Sequence, residues 1–233
     1  MLLAAHDTTT SALTMAAYYL AHSMVAREPA QTAEDREFAS SFSDAAGRAG
    51  CDRVVYLGGL AEACSGARER LSSRLTVEQA LRSGPTPVTV FRAGTIIGSG
   101  SASFEILRHL VERQPLMLVP RWFDRCCQPI SVRNVLHYLV AALELPETAP
   151  RSIDLGGPEV LPYRDVIRHM ASALGLPHRT NLPIPLMSAR MSALWVHLIT
   201  PVSHRIALPL ADGLQLGAVC RGDGAERLMP DRL

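Results

Sequence analysis

The stretch VTVFRAGTIIGSGSASF, residues 88–104, decides the fold class. An apolar run from Val88 to Phe91 stops at Arg92-Ala93-Gly94, and Gly98-Ser99-Gly100-Ser101 then leads into a helix. A buried parallel strand that empties into small residues opens a ligand crevice at the carboxyl edge of a doubly wound α/β sheet. A second run of the same kind, Arg53-Val54-Val55-Tyr56-Leu57 followed by Gly58-Gly59, lies upstream. Neither is preceded by G-x-G-x-x-G, the loop that seats a pyrophosphate on a helix N-terminus.

Outward from these runs, the pattern alternates. Residues 12–20 read either as a strand ending at His22-Ser23 or as the end of a helix begun near Thr8, since periodicity does not separate the two. Residues 26–32 read as a loop. A helix is expected over Glu34–Arg48, with Phe38, Phe42 and Ala45 on its packed side, and another over Ala67–Arg82. Beyond residue 100 the spacing predicts a helix over Ser103–Arg113 and a short strand over Leu116–Val119. A helix over Arg133–Leu143 follows, with Val135, Leu139, Val140 and Leu143 facing the core. Then come a strand at Ser152–Leu155 closed by Gly156-Gly157, an amphipathic helix over Tyr163–Leu174, and a helical, proline-punctuated remainder from Pro183. Strands alternating with helices predict α/β with a parallel sheet.

Composition narrows the function classes. A net charge of +1 lacks the electrostatic footprint of a nucleic-acid binder, so no nucleic-acid partner is expected. All 23 basic residues are arginine, so no lysine is present for a Schiff base, a P-loop or the activation of a catalytic tyrosine. Five cysteines form no C-x-x-C and no His/Cys ligand spacing; they read as structural thiols, and no metal site is expected. The odd cysteine count and the lack of a basic, apolar leader predict a cytoplasmic protein. The apolar segment 186–202 holds Arg190 and His197 and ends near Pro201, so it reads as a buried or amphipathic helix, with no membrane contact expected.

Several long blocks carry a family likeness. EDREFASSFSDAAGRAGCDRVVYLGGL (34–60), VTVFRAGTIIGSGSASFEILRHLVER (88–113), PRWFDRCCQPISVRNVLHYLVAALELPE (120–147) and IDLGGPEVLPYRDVIRHMA (153–171) resemble the atypical short-chain dehydrogenase/reductase-like proteins. These are NAD(P)-binding proteins of the nucleoside-diphosphate-sugar epimerase-like and NmrA-like kind. The resemblance implies a partial Rossmann-type doubly wound parallel sheet with a mainly helical C-terminal portion. It implies a dinucleotide-binding domain over residues 1–182, N-terminally truncated before its G-x-T-G-x-x-G loop, and a helical extension of that domain over 183–233. Oxidoreductase or sugar-nucleotide epimerase activity is implied with NAD or NADP as cofactor, impaired by the missing loop. The rival reading is a non-catalytic dinucleotide sensor or interaction module, or a gene fragment without function. Residues 2–10, LLAAHDTTT, also weakly resemble the oxygen-activating helix of haem-thiolate monooxygenases, but no cysteine ligand loop follows.

The cofactor-facing residues implied are His22, Ser23, Leu57, Gly58, Gly59, Arg92, Ala93, Gly94 and Thr95. Glycine and alanine suit strand ends where a cofactor must approach the backbone closely. Catalysis in ordinary members of the family needs Tyr-x-x-x-Lys, whereas Arg70 and Arg74 stand here at the four-residue spacing without a tyrosine. Arginine is too basic to shuttle protons. No catalytic residue is therefore assigned, and Tyr56 and Tyr163 read as packing or capping residues. Arg121, Trp122, Arg125 and Gln128 are candidates for contact with a small polar substrate. Absence of the first strands predicts self-association through an exposed sheet edge.

Overall fold

The computed structural model describes residues 4–5, 15–20, 29–60, 72–145, 152–184, 189–201, 207, 210, 217–222 and 225. Its strands are β1 (Ala4–Ala5), β2 (Ala16–Tyr19), β3 (Arg53–Gly59), β4 (Val88–Ala93), β5 (Ile96–Ile97), β6 (Leu116–Pro120), β7 (Cys126–Cys127), β8 (Ile130–Ser131), β9 (Ser152–Leu155), β10 (Leu161–Pro162) and β11 (Thr180–Ile184). Its helices are α1 (Pro29–Arg48), α2 (Ser72–Arg82), α3 (Ala102–Arg113), α4 (Val132–Ala141), α5 (Tyr163–Ala173) and α6 (Ala189–Ile199).

The main sheet runs in the order β1-β2-β3-β4-β9. β2, β3, β4 and β9 are mutually parallel, and β1 lies antiparallel against β2. Alternation along these strands divides the core in two. Ala16, Tyr18, Val55, Phe91, Ala93, Ile153 and Leu155 face Val135, Tyr138 and Leu139 of α4. Ala17, Tyr19, Val54, Tyr56, Val88 and Val90 face Ala39 and Ala46 of α1 and Val77, Ala80 and Leu81 of α2. Both faces are covered, which is why β3 and β4 read as nearly continuous apolar runs. The expected α/β parallel sheet is present, and the strand alternative holds for residues 16–19.

Helix ends follow local chemistry. α1 opens at Pro29, where the missing N–H costs nothing and φ is preset, so the helix begins inside the segment expected to be a loop. It closes at Gly50, whose φ of 72° favours glycine. Ser101 and Ser131 cap α3 and α4 by accepting from the N–H groups of Phe104 and Asn134.

Two expected packing stripes are rotated. On α1 the buried line is Ala39, Ser43 and Ala46, while Phe38 is 68% exposed. Ser43 belongs there because its hydroxyl donates to the carbonyl of Leu81 at 2.9 Å, joining α1 to α2. On α4, Tyr138 takes the core position expected of Val140, which is exposed.

A second core gathers α3, α5 and β6 around Leu107, Val111, Met117, Val119, Tyr163 and Ile167, with α6 packed against it. β6 pairs not with the main sheet but, in parallel, with β11. β11 is a strand that the sequence TNLPI (180–184), with Pro183 inside it, concealed, and helix α6 spans Ala189–Ile199. On α6, Val196 and Ile199 pack against the second core and Ser192 is buried, while Met191, Leu194 and Leu198 are exposed, so the helix is neither buried nor amphipathic as expected: its outward face is also apolar. No helix among the described residues is long and apolar enough to cross a membrane.

Candidate functional site

β3, β4 and β9 end side by side. Gly58 pairs with Arg92 and Gly59 with Ala93; on the other side of β4, Arg92 pairs with Asp154 and Ala93 with Leu155. The Leu60 N–H donates to the Ala93 carbonyl at 2.8 Å and holds the β3 end against β4. Leu57, Gly58 and Gly59 are half-buried, so the backbone of this edge is accessible. A Cβ on Gly58 would stand 3.3 Å from the Tyr56 ring; glycines at a strand end also let a ligand approach the backbone closely. Of the nine cofactor-facing residues expected, seven are brought to the ends of β3 and β4. His22 and Ser23 lie outside the described residues, as do residues 61–71, which include Arg70.

Arg92 is placed at the edge, but its side chain turns away. Alternation aims it at the α2 face, where its Nη2 donates to both carboxylate oxygens of Glu78 at 3.2 and 3.3 Å. Glu78 also accepts from Arg82 Nε at 3.0 Å, and Arg82 Nη2 reaches Ser152 Oγ at 2.9 Å. A half-buried carboxylate shared by two guanidiniums is a brace between α2, β4 and β9. The Arg92 guanidinium is committed to that brace.

The glycines after β4 and β9 have a different use. A Cβ on Gly94 would stand 3.2 Å from the Gln128 carbonyl oxygen, and one on Gly156 would stand 2.6 Å from Cys220 Sγ. A Cβ on Gly157 would fall on the Pro129 carbonyl oxygen. These positions admit the chain's own segments 126–130 and 217–222. Gln128 Nε2 donates to the Gly157 carbonyl at 2.7 Å, and its Oε1 accepts from the Cys220 N–H at 3.1 Å. Asp154 accepts from the Arg221 N–H at 3.1 Å. Gln128, a candidate for substrate contact, is thus an internal clasp. Arg125 is exposed, and the side chains of Arg121 and Trp122 are not described.

Thr95 links the sheet edge to the second core. Its hydroxyl lies 3.5 Å from that of Tyr163, the first residue of α5. Burial pushes the Tyr163 hydroxyl well above the ordinary tyrosine value, and the neighbouring Cys127 adds to the rise. Burial also pushes the Cys127 thiol up to about 12, against an opposing hydrogen bond from Tyr163. Both groups stay neutral near pH 7. Tyr163 is buried and hydrogen-bonded to Thr95.

Sequence reading missed a cavity of about 70 Å³ on the far side of Thr95, walled by α3, β6 and α6. Its walls come from residues between Thr95 and Phe123 and from Ser192, Trp195, Val196, Ala207 and Leu210; the trace in sequence is the apolar character shared by any core. Among the described residues no group of three or more His, Cys, Asp or Glu side chains could hold a metal.

No protein-family model and no curated protein matches the chain in sequence. Solved structures match in shape. The triphenylmethane reductase of Citrobacter sp. aligns over 93% of this chain and 71% of its own, with a TM-score of 0.67 and 14% identity. Complexed with NADP(H), that reductase aligns over 93% and 72%, with a TM-score of 0.65 and 13% identity. A nucleoside-diphosphate-sugar epimerase from Staphylococcus aureus aligns over 92% and 72%, with a TM-score of 0.65 and 12% identity. The chain has the Rossmann-type α/β fold of this reductase and this epimerase.

Proposed function

We propose that this chain binds NAD or NADP at the carboxyl edge of its main sheet and belongs functionally with the short-chain dehydrogenase/reductase-like oxidoreductases and epimerases. One observation carries the reading: the half-buried Gly58-Gly59 end of β3 pairs with Arg92-Ala93 of β4 in a fold shared with a reductase solved with NADP(H). A bound nicotinamide supplies hydride transfer at this edge. Leu57, Gly58, Gly59 and Ala93 offer backbone to the ring, and Thr95 offers a hydroxyl. His22 and Ser23, which follow β2 in sequence, belong to the same edge in this reading.

Titration of the protein with NADH and with NADPH, followed by nicotinamide fluorescence, tests the reading. Saturable enhancement below millimolar concentration is expected. A linear response with both nucleotides would sink it.

A second reading, a dinucleotide sensor without turnover, is favoured by the absence of a Tyr-x-x-x-Lys pair from this sequence. Binding with no oxidation or reduction of any carbonyl or sugar nucleotide offered would select it over the enzyme.

A further inference from the structure

Helix α4 packs on the sheet face opposite α1 and α2. Its inner side, with Val135, Tyr138, Leu139 and Ala142, is buried in that core. Its outer side is apolar as well: Val132, Leu136 and Val140 stand four residues apart and are 37%, 56% and 65% exposed. Single exposed aliphatics are ordinary on a surface, but a row at four-residue spacing is a ridge of the kind that packs against another helix.

Charges stand at both ends of this ridge. Arg133 is exposed in the first turn, and Glu144 is exposed two residues past the C-cap Ala142. A cation near a helix N-terminus and an anion near its C-terminus both oppose the macrodipole, so neither is placed to stabilise α4 itself. Among the described residues, neither side chain has an ion-pair or hydrogen-bond partner.

A second α4 matches the ridge and the charges together. With a two-fold axis between Leu136 and Val140, antiparallel helices set Leu136 of each copy against Val140 of the other. Arg133 then falls within one residue's rise, about 1.5 Å along the axis, of Glu144 of the second copy. A parallel pair would instead set Arg133 against Arg133 and Glu144 against Glu144, which is repulsive. The antiparallel pairing is self-complementary, as a two-fold contact requires.

We propose that two copies of this chain associate through antiparallel α4 helices, Leu136 packing on Val140 and Arg133 pairing with Glu144 at each end. The proposal goes beyond dinucleotide binding, and the contact uses no residue of the cofactor edge or of the exposed flank at β2. A helix of 10 residues makes a small contact, so the association is weak and reversible.

Sedimentation velocity of the full chain over a wide concentration range, without dinucleotide, tests it. The parent is expected to show a mass that rises with concentration. Arg133→Glu and Glu144→Arg each set like charges across the two-fold axis and should weaken association about tenfold. Both reversals in one chain restore opposite charges and should bring association back to within about threefold of the parent. Leu136→Asp should weaken it at least as much as either single reversal, and Val140→Asp serves where Leu136→Asp does not fold. A monomer at every concentration, single reversals without effect, or a double reversal that associates no better than either single one would overturn the proposal. Association unchanged in a folded Leu136→Asp or Val140→Asp variant would also overturn it and assign the contact to the sheet edge.

Discussion

At Gly157 one methyl group is decisive. The position faces the Pro129 carbonyl, a backbone atom that cannot swing aside as a long side chain would. Gly157→Ala is expected to cost about 1–3 kcal/mol, as overpacking does, and urea unfolding would measure it. A variant as stable as the parent would show that segment 126–130 does not seat against β9. Sequence showed the glycines and placed them correctly at a strand end. It did not show that Gly94, Gly156 and Gly157 are filled by Gln128, Cys220 and Pro129, because those contacts join residues far apart in the chain.

The buried thiol and phenol make a second prediction at this scale. Cys127 and Tyr163 have folded-state pKa values raised above their unfolded values, so the neutral form is favoured in the fold. Stability is then fully present below about pH 9 and falls as pH rises from there through about 12, where the folded Cys127 thiol ionises. At pH 8 a thiol reagent should label exposed Cys126 quickly and Cys127 only on unfolding. Peptide mapping would read the difference; equal labelling rates would contradict the burial of Cys127.

Among elements, the brace at Glu78 holds α2 to the sheet. Glu78→Ala removes the acceptor shared by Arg82 and Arg92. The expected loss is about 1–3 kcal/mol, the range for charge-assisted bonds and the desolvated partners they leave, read as a lower melting temperature. Arg92→Ala should also lower stability yet change NADPH affinity less than twofold, because its guanidinium is committed to α2. A large affinity loss at unchanged stability would restore Arg92 to the cofactor site. The helices and the parallel strands β3, β4 and β9 were legible in the apolar pattern and its small-residue ends, whereas β2 stayed open between strand and helix. β11 was not, since its sequence TNLPI holds a proline and its pairing with β6 is remote. The rotation of α1 was also hidden: Ser43 outcompetes Phe38 for the core only because Leu81 offers it a carbonyl.

For the whole molecule, the sheet has one lightly covered side. β1 pairs with β2 only at Ala4–Ala17 and Ala5–Ala16, so Tyr18 and Tyr19 have no ladder partner beyond β2 among the described residues. We propose that this edge associates with a second copy, and sedimentation velocity should show a mass that rises with concentration. A concentration-independent monomer would contradict that. The parallel α/β sheet was readable from alternation and small-residue strand ends, and its Rossmann type was implied by the family resemblance, whereas the second core, the cavity and the clasp by residues 217–222 depend on tertiary packing. A dinucleotide that meets the chain at the ends of β3 and β4 must slow amide hydrogen exchange there. With NADPH bound, added protection is expected at residues 57–60 and 93–95 and none at Arg53 or Val88, on the opposite edge; unchanged exchange at 57–60 and 93–95 under saturating NADPH, or protection confined to the opposite edge, would contradict binding at this edge.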